Sequence, residues 1–133
     1  MLKNKRILIV EDETLMLKTL VNTLNNYGFS TLEAQDGKQG LELALKEKPD
    51  LILLDIIMPK MNGLAMLKEL RKEAWGREVP IIFLTNLSDP EAIIKATKDY
   101  TETLDNITYD YLIKSDYQLA DVVKIIKAKL EIK

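Results

Sequence analysis

Three short runs of unbroken apolar residues punctuate the chain: Ile7 to Val10, Leu51 to Leu54 and Ile81 to Leu84. None shows polar alternation, and all are rich in Ile, Leu and Val or Phe, which is the pattern of a strand buried on both faces. Thr31 to Ala34 and Tyr111 to Ile113 are weaker strand candidates. Between these runs apolar residues recur three and four apart, as in Leu17, Leu20, Val21 and Leu24, and near the end in Leu119, Val122, Val123, Ile126 and Leu130. That spacing puts an apolar stripe on one side of a helix. Five strands are thus expected to alternate with five helices.

Alternation of this kind calls for a five-stranded parallel sheet with right-handed crossovers and helices on both faces, a doubly wound (βα)5 α/β fold. Helix-start signals agree. Asp89-Pro90 reads as an N-cap followed by proline in the first turn, and Ser115 with Gln118 three residues later reads as a capping box. No linker, repeat or low-complexity segment interrupts the pattern, so residues 1–133 are expected to form a single domain without an effector domain. In such sheets ligands bind in the crevice at the carboxyl ends of the strands.

Composition narrows the chemistry. Nineteen basic against 21 acidic side chains give a net charge of −2, which offers no electrostatic footprint for nucleic acid or an anionic membrane. Neither is expected as a partner. The opening MLKNKRILIVEDE has too short an apolar stretch for a signal peptide or membrane span, so a cytoplasmic protein is expected. Cysteine and histidine are both absent. Thiol nucleophiles, disulfides, ordinary zinc sites and imidazole acid–base chemistry go with them, which leaves carboxylates, hydroxyls and lysine.

Those remaining groups sit where strands should end: Glu11-Asp12 after the first, Asp55 after the third, Thr85 after the fourth and Lys114 after the fifth. Singly, each has an ordinary reading as a solvated loop acid, a turn aspartate, a strand-end hydroxyl or a surface lysine. Together, at one edge of one sheet, they point to a shared pocket. Three carboxylates gathered there would repel one another unless a cation joined them. A hard ion with oxygen ligands, Mg²⁺ or alternatively Mn²⁺, suits so few carboxylates better than Ca²⁺ does. Such an ion would let a carboxylate nucleophile meet a phosphoryl group, with the charge of Lys114 and the hydroxyl of Thr85 around the phosphoryl oxygens. With no histidine in the chain, a phosphohistidine donor would have to belong to another protein or be replaced by a small phosphodonor.

The pieces ILIVEDE, LILLDIIMPKMNG, IIFLTN and YLIK, in this order, resemble the receiver domain of bacterial two-component response regulators over nearly the whole chain. The resemblance implies a CheY-like, flavodoxin-like fold and a signalling switch, which assists its own phosphorylation and dephosphorylation but is not an enzyme. It implies Asp55 as the phosphoacceptor, Asp12 as a direct metal ligand, Glu11 as its acidic neighbour and Ile57 as a backbone-carbonyl ligand. It also implies Lys114 as the phosphate contact, Thr85 as the switch hydroxyl and Tyr111 as the aromatic that turns inward with it. A sensor histidine kinase or histidine phosphotransfer protein would donate the phosphoryl group, and a separate effector protein would receive the signal. A flavin binder would need glycines and hydroxyls where EDETLM stands, and an aspartate-nucleophile phosphatase would need Asp-x-Asp after the first strand. The remaining alternative, a receiver-like interaction module without phosphorylation, would not call for Asp55, Thr85 and Lys114 together.

The chain departs from the family pattern in three places. Ser115 follows Lys114 where the family commonly has a proline, so a trans bond is expected. Thr85 and Lys114 are 29 residues apart, several more than usual, which predicts a longer helix or loop between the fourth and fifth strands. Asn86 replaces a small residue, and with Ile57 and Leu87 it adds bulk near the approach to the phosphoryl group. That bulk is expected to hinder attacking water and slow self-dephosphorylation. Following the decay of the phosphorylated protein by intact mass tests this, and a half-life of only seconds would contradict it.

Overall fold

The computed structural model describes residues 5–56, 58, 61–85, 110–113 and 119–130. Their elements are β1 (Arg6–Val10), α1 (Thr14–Asn26), β2 (Ser30–Ala34), α2 (Gly37–Glu47), β3 (Leu51–Asp55), α3 (Gly63–Leu70), a 3-10 turn (Trp75–Arg77), β4 (Ile81–Thr85), β5 (Asp110–Ile113) and α4 (Leu119–Lys129). The strands form one parallel sheet in the order β2-β1-β3-β4-β5. All five expected strands are present, and each extends one residue past the run that predicted it, to Arg6, Ser30, Asp55, Thr85 and Asp110. The helix expected between the fourth and fifth strands, its Asp89-Pro90 start, the Ser115 capping box and the peptide bond before Ser115 lie outside the described residues.

The unbroken apolar runs occupy the middle of the sheet, where both faces are covered. Alternate residues of each run divide between two core clusters. Leu8, Val10, Ile52, Leu54, Ile81 and Phe83 pack with Ala44 of α2 and with Leu64, Met66, Leu67 and Leu70 of α3. Ile7, Ile9, Leu51, Leu53, Ile82 and Leu84 pack with Leu17, Leu20 and Leu24 of α1 and with Val122, Val123 and Ile126 of α4. The helical stripes read from the sequence therefore face the sheet, with Val21 and Leu130 partly buried at its margin. Trp75 is half-buried in the 3-10 turn and Met66 is fully buried. Among the described residues no helix is long and apolar enough to cross a membrane.

The helices on the α2/α3 face begin with side-chain caps. Asp36 accepts a hydrogen bond from the Gln39 amide at 2.8 Å, and Gln39 Oε1 in turn accepts from the Gln35 amide at 2.9 Å. Asn62 accepts from the Ala65 amide at 2.8 Å. Each cap satisfies an amide that the first turn leaves without a helical partner.

At the amino end of the sheet, β1 and β3 are tied by polar groups. The Arg6 amide donates to Asp50 Oδ2 at 2.8 Å, the Asp50 amide donates to the Arg6 carbonyl at 2.8 Å, and the Arg6 guanidinium reaches Glu47 Oε1 at 3.4 Å and the Glu47 carbonyl. At the far end of α3, Arg71 Nη1 donates to the Val79 carbonyl at 3.1 Å and to that of Gly76, which holds the 3-10 turn to the helix.

Leu53 lies at the centre of β3 with no exposed surface. Leu53→Ala is expected to cost about 2–5 kcal/mol, the usual range for emptying a core site that cannot collapse. The shift in the urea unfolding midpoint measures it.

Candidate functional site

Strand register explains how residues 44 positions apart meet. In the parallel β1–β3 pair Val10 lies alongside Leu54, so the next step along both strands brings Glu11 beside Asp55. Side-chain alternation continues past the apolar runs as well. Glu11 follows Ile7 and Ile9, and Asp55 follows Leu51 and Leu53, so both acids emerge on the α1 side of the sheet. Glu11 is fully buried and Asp55 only 3% exposed. The Glu11 amide donates to the Ala34 carbonyl at 2.9 Å, which extends the β1–β2 ladder by one step and fixes the direction of the chain into α1.

Asp12, one residue on, is exposed and completes the group: carboxylate oxygens of Glu11, Asp12 and Asp55 lie within 4.8 Å of one another. Glu13 stands at the N-cap position of α1, but its side chain makes no capping hydrogen bond. Three carboxylates this close, two of them buried, carry a repulsion that a bound cation would remove.

Thr85 ends β4 one residue beyond Leu84, the register partner of Asp55, and lies alongside Ile113 of β5. Tyr111 lies alongside Phe83. The backbone thus carries Thr85 to the same edge of the sheet as the acids, while the side chains of Thr85 and Tyr111 are not among those described. Ile57 and Lys114 lie outside the described residues.

Ile56, which follows Asp55, and the start of α3 are held closely together. The Ile56 amide donates to the Leu84 carbonyl at 3.2 Å, and the Gly63 amide donates to the Ile56 carbonyl at 2.8 Å. A Cβ at Gly63 would lie 2.0 Å from the Asp55 carbonyl oxygen, so no other residue fits there without moving the main chain of Asp55. Met58 is buried, and Met61 is half-buried against the α2/α3 core cluster. The Asn62-Gly63 pair that closes the LILLDIIMPKMNG segment carries the signal of a helix start. The cap at Asp36 and the close packing of Gly37 were not read from the sequence, although an Asp-Gly pair just ahead of a helical stripe carries the same signal.

Residues 7–124 match the family model described as the response regulator receiver domain. The chain belongs to that family. Among curated relatives, this receiver is 39% identical over 88 residues to the probable transcriptional regulator ycf27 of Porphyridium aerugineum, covering 66% of this chain and 35% of the relative. It is 40% identical over 82 residues to the alkaline phosphatase synthesis transcriptional regulatory protein PhoP of Bacillus subtilis, covering 62% and 33%. It thus spans about a third of the length of these relatives. Both are transcriptional regulators by name, so the expected absence of nucleic acid among its partners gains no support from them.

Among solved structures, this receiver superposes on the receiver domain of sensor histidine kinase PA1611 from Pseudomonas aeruginosa PAO1 with a TM-score of 0.78 and 27% identity, covering 96% of this chain and 98% of that one. That domain was described with a magnesium ion coordinated in its active-site cleft. The flavodoxin-like receiver fold expected from the sequence is therefore the fold observed.

Neutralising one member of the acidic group should relieve its repulsion. Asp55→Asn is expected to raise the stability of the metal-free protein by about 1 kcal/mol or more, roughly 3–5 °C in melting temperature. Calorimetry in the presence of a chelator checks it, and an unchanged or lowered melting temperature would show that the three charges are not in conflict.

Proposed function

We propose that this receiver is a phosphoryl-accepting switch in which Asp55 takes a phosphoryl group beside a Mg²⁺ ion held by Glu11, Asp12 and Asp55. The observation that carries the reading is the convergence of these three carboxylates within 4.8 Å at the carboxyl edge of the sheet. The donor set fits the ion. All three groups offer hard oxygens, and ligands about 2.0–2.1 Å from Mg²⁺ on opposite sides of it stand about 4.2 Å apart. Mn²⁺ meets the same description. When bound, the ion neutralises charge between the carboxylates and the incoming phosphoryl oxygens.

The protein's own groups do the rest. Burial of Asp55 at the end of an apolar strand fixes its carboxylate in place and limits water around it. A carboxylate oxygen of Asp55 attacks phosphorus, the P–O bond forms as the P–N bond of a partner's phosphohistidine breaks, and the imidazole leaves with the electron pair. That donor sits on a histidine kinase or phosphotransfer protein, because this chain contains no histidine.

By family resemblance Lys114 contacts the phosphoryl oxygens, the Ile57 carbonyl completes the metal shell, and Thr85 with Tyr111 reports the modification. Phosphorylation adds nearly two negative charges, and it acts as a switch by favouring one of two existing arrangements of that pair and the adjoining surface, which an effector protein reads.

Incubation with Mg²⁺ and acetyl phosphate or phosphoramidate, followed by intact-mass measurement, tests the reading. A single added phosphoryl group is expected on the wild type, and none without Mg²⁺ or on Asp55→Asn. No adduct on folded wild-type protein, together with failure to bind beryllofluoride, would move the assignment to a receiver-like interaction module without phosphorylation.

A further inference from the structure

The loop that follows Asp55 is braced from a side that contributes nothing to the acidic group. Gly37, the first residue of α2, donates its amide to the Met61 carbonyl at 3.1 Å, and a Cβ at this position would lie 2.1 Å from that carbonyl oxygen and 2.8 Å from its carbon. What Gly37 supplies is space: its backbone lies so close to Met61 that a single methyl group would have to displace one chain or the other. Two residues on, Gly63 repeats the arrangement against the Asp55 carbonyl. A continuous path of backbone packing therefore runs from the start of α2, through Met61 and the capped start of α3, to the main chain of the phosphoacceptor.

The start of α2 is itself immobilised. Asp36 and Gln39 tie the first turn by their paired hydrogen bonds, so the surface Gly37 presents to Met61 is set before the two segments meet. A displacement of Met61 cannot be absorbed in α3 either, because Leu64, Met66 and Leu67 are buried in the core cluster below it.

We propose that Gly37 is a positioning residue for the metal site: by admitting the Met61 carbonyl it seats the amino end of α3 on Asp55, and so sets the distance of the Asp55 carboxylate from Glu11 and Asp12. This rests on the reading of those three acids as the Mg²⁺ ligands. Gly37 touches neither the ion nor the phosphoryl group.

The experiment compares Gly37→Ala with Gly76→Ala in the 133-residue protein. Gly76 offers a matched control, since its Cβ would meet the Leu70 carbonyl oxygen at 1.9 Å, but at the opposite end of α3. Both substitutions should lower the melting temperature. Dissociation constants for Mg²⁺ alone, read from backbone amide shifts well below either melting temperature, separate the roles.

Gly37→Ala is expected to weaken Mg²⁺ binding about tenfold, as loss of an outer-shell support commonly does, while Gly76→Ala leaves it unchanged. Equal affinity for wild type and Gly37→Ala, or equal weakening in both variants, overturns the proposal. If Gly37→Ala does not fold, Asp36→Ala decides. Losing the cap loosens the first turn of α2 and should weaken Mg²⁺ several-fold, while Asp36→Asn keeps an oxygen acceptor for the Gln39 amide and should bind as the wild type does. An Asp36→Ala protein with wild-type affinity overturns the proposal as well. Wild-type protein that binds no Mg²⁺ removes the metal reading itself, and this inference with it.

Discussion

The site depends on the pairing of β1 with β3. Val10 beside Leu54 is one step of an apolar ladder whose preceding partners are fully buried, and the next step has no freedom to slip. A shift of one residue would turn the side chains of an entire strand to the opposite face, exchanging the residues of the two core clusters. The register that maximises packing thus also forces two acids together. Repulsion between Glu11 and Asp55 is small beside the burial of eight Ile, Leu and Val side chains in these two strands, at about 1.5–3 kcal/mol each. The core thus imposes an arrangement of charge that the acids alone would not favour.

Above that ladder the main chain itself makes close contacts, beside the side-chain caps of α2 and α3. Asp55 is set by what lies against its carbonyl, Gly63, and by the bond that Ile56 makes to β4. Main-chain supports of this kind act without using the functional group of the residue they hold. They also place strict demands on the size of a few residues that carry no functional group.

Much of this was legible in the sequence. The runs Ile7 to Val10, Leu51 to Leu54 and Ile81 to Leu84 announced themselves because strands covered on both faces tolerate no polar position. Glu11, Asp12 and Asp55 could be assigned to one edge because doubly wound sheets gather strand ends there. Their separation could not be read, since it follows from a register set by packing between residues 44 positions apart. Nor could the demand for glycine at positions 37 and 76. It comes from the carbonyls of Met61 and Leu70, and no local pattern records which distant backbone will come close. Asp36 was overlooked for a simpler reason: Asp-Gly marks a turn as readily as a helix start, and only the helix that follows distinguishes them.

The two ends of the β1–β3 pair are built on opposite electrostatic terms. At the amino end Arg6 draws together Asp50, Glu47 and the neighbouring carbonyl, so the charges there attract. At the carboxyl end like charges face each other across the same two strands. The sheet is therefore closed permanently at one edge and conditionally at the other, like a book bound along its spine. On the proposed function, a cation bound at the carboxyl edge would relieve the repulsion there, while the Arg6 contacts keep the far end of the same two strands anchored.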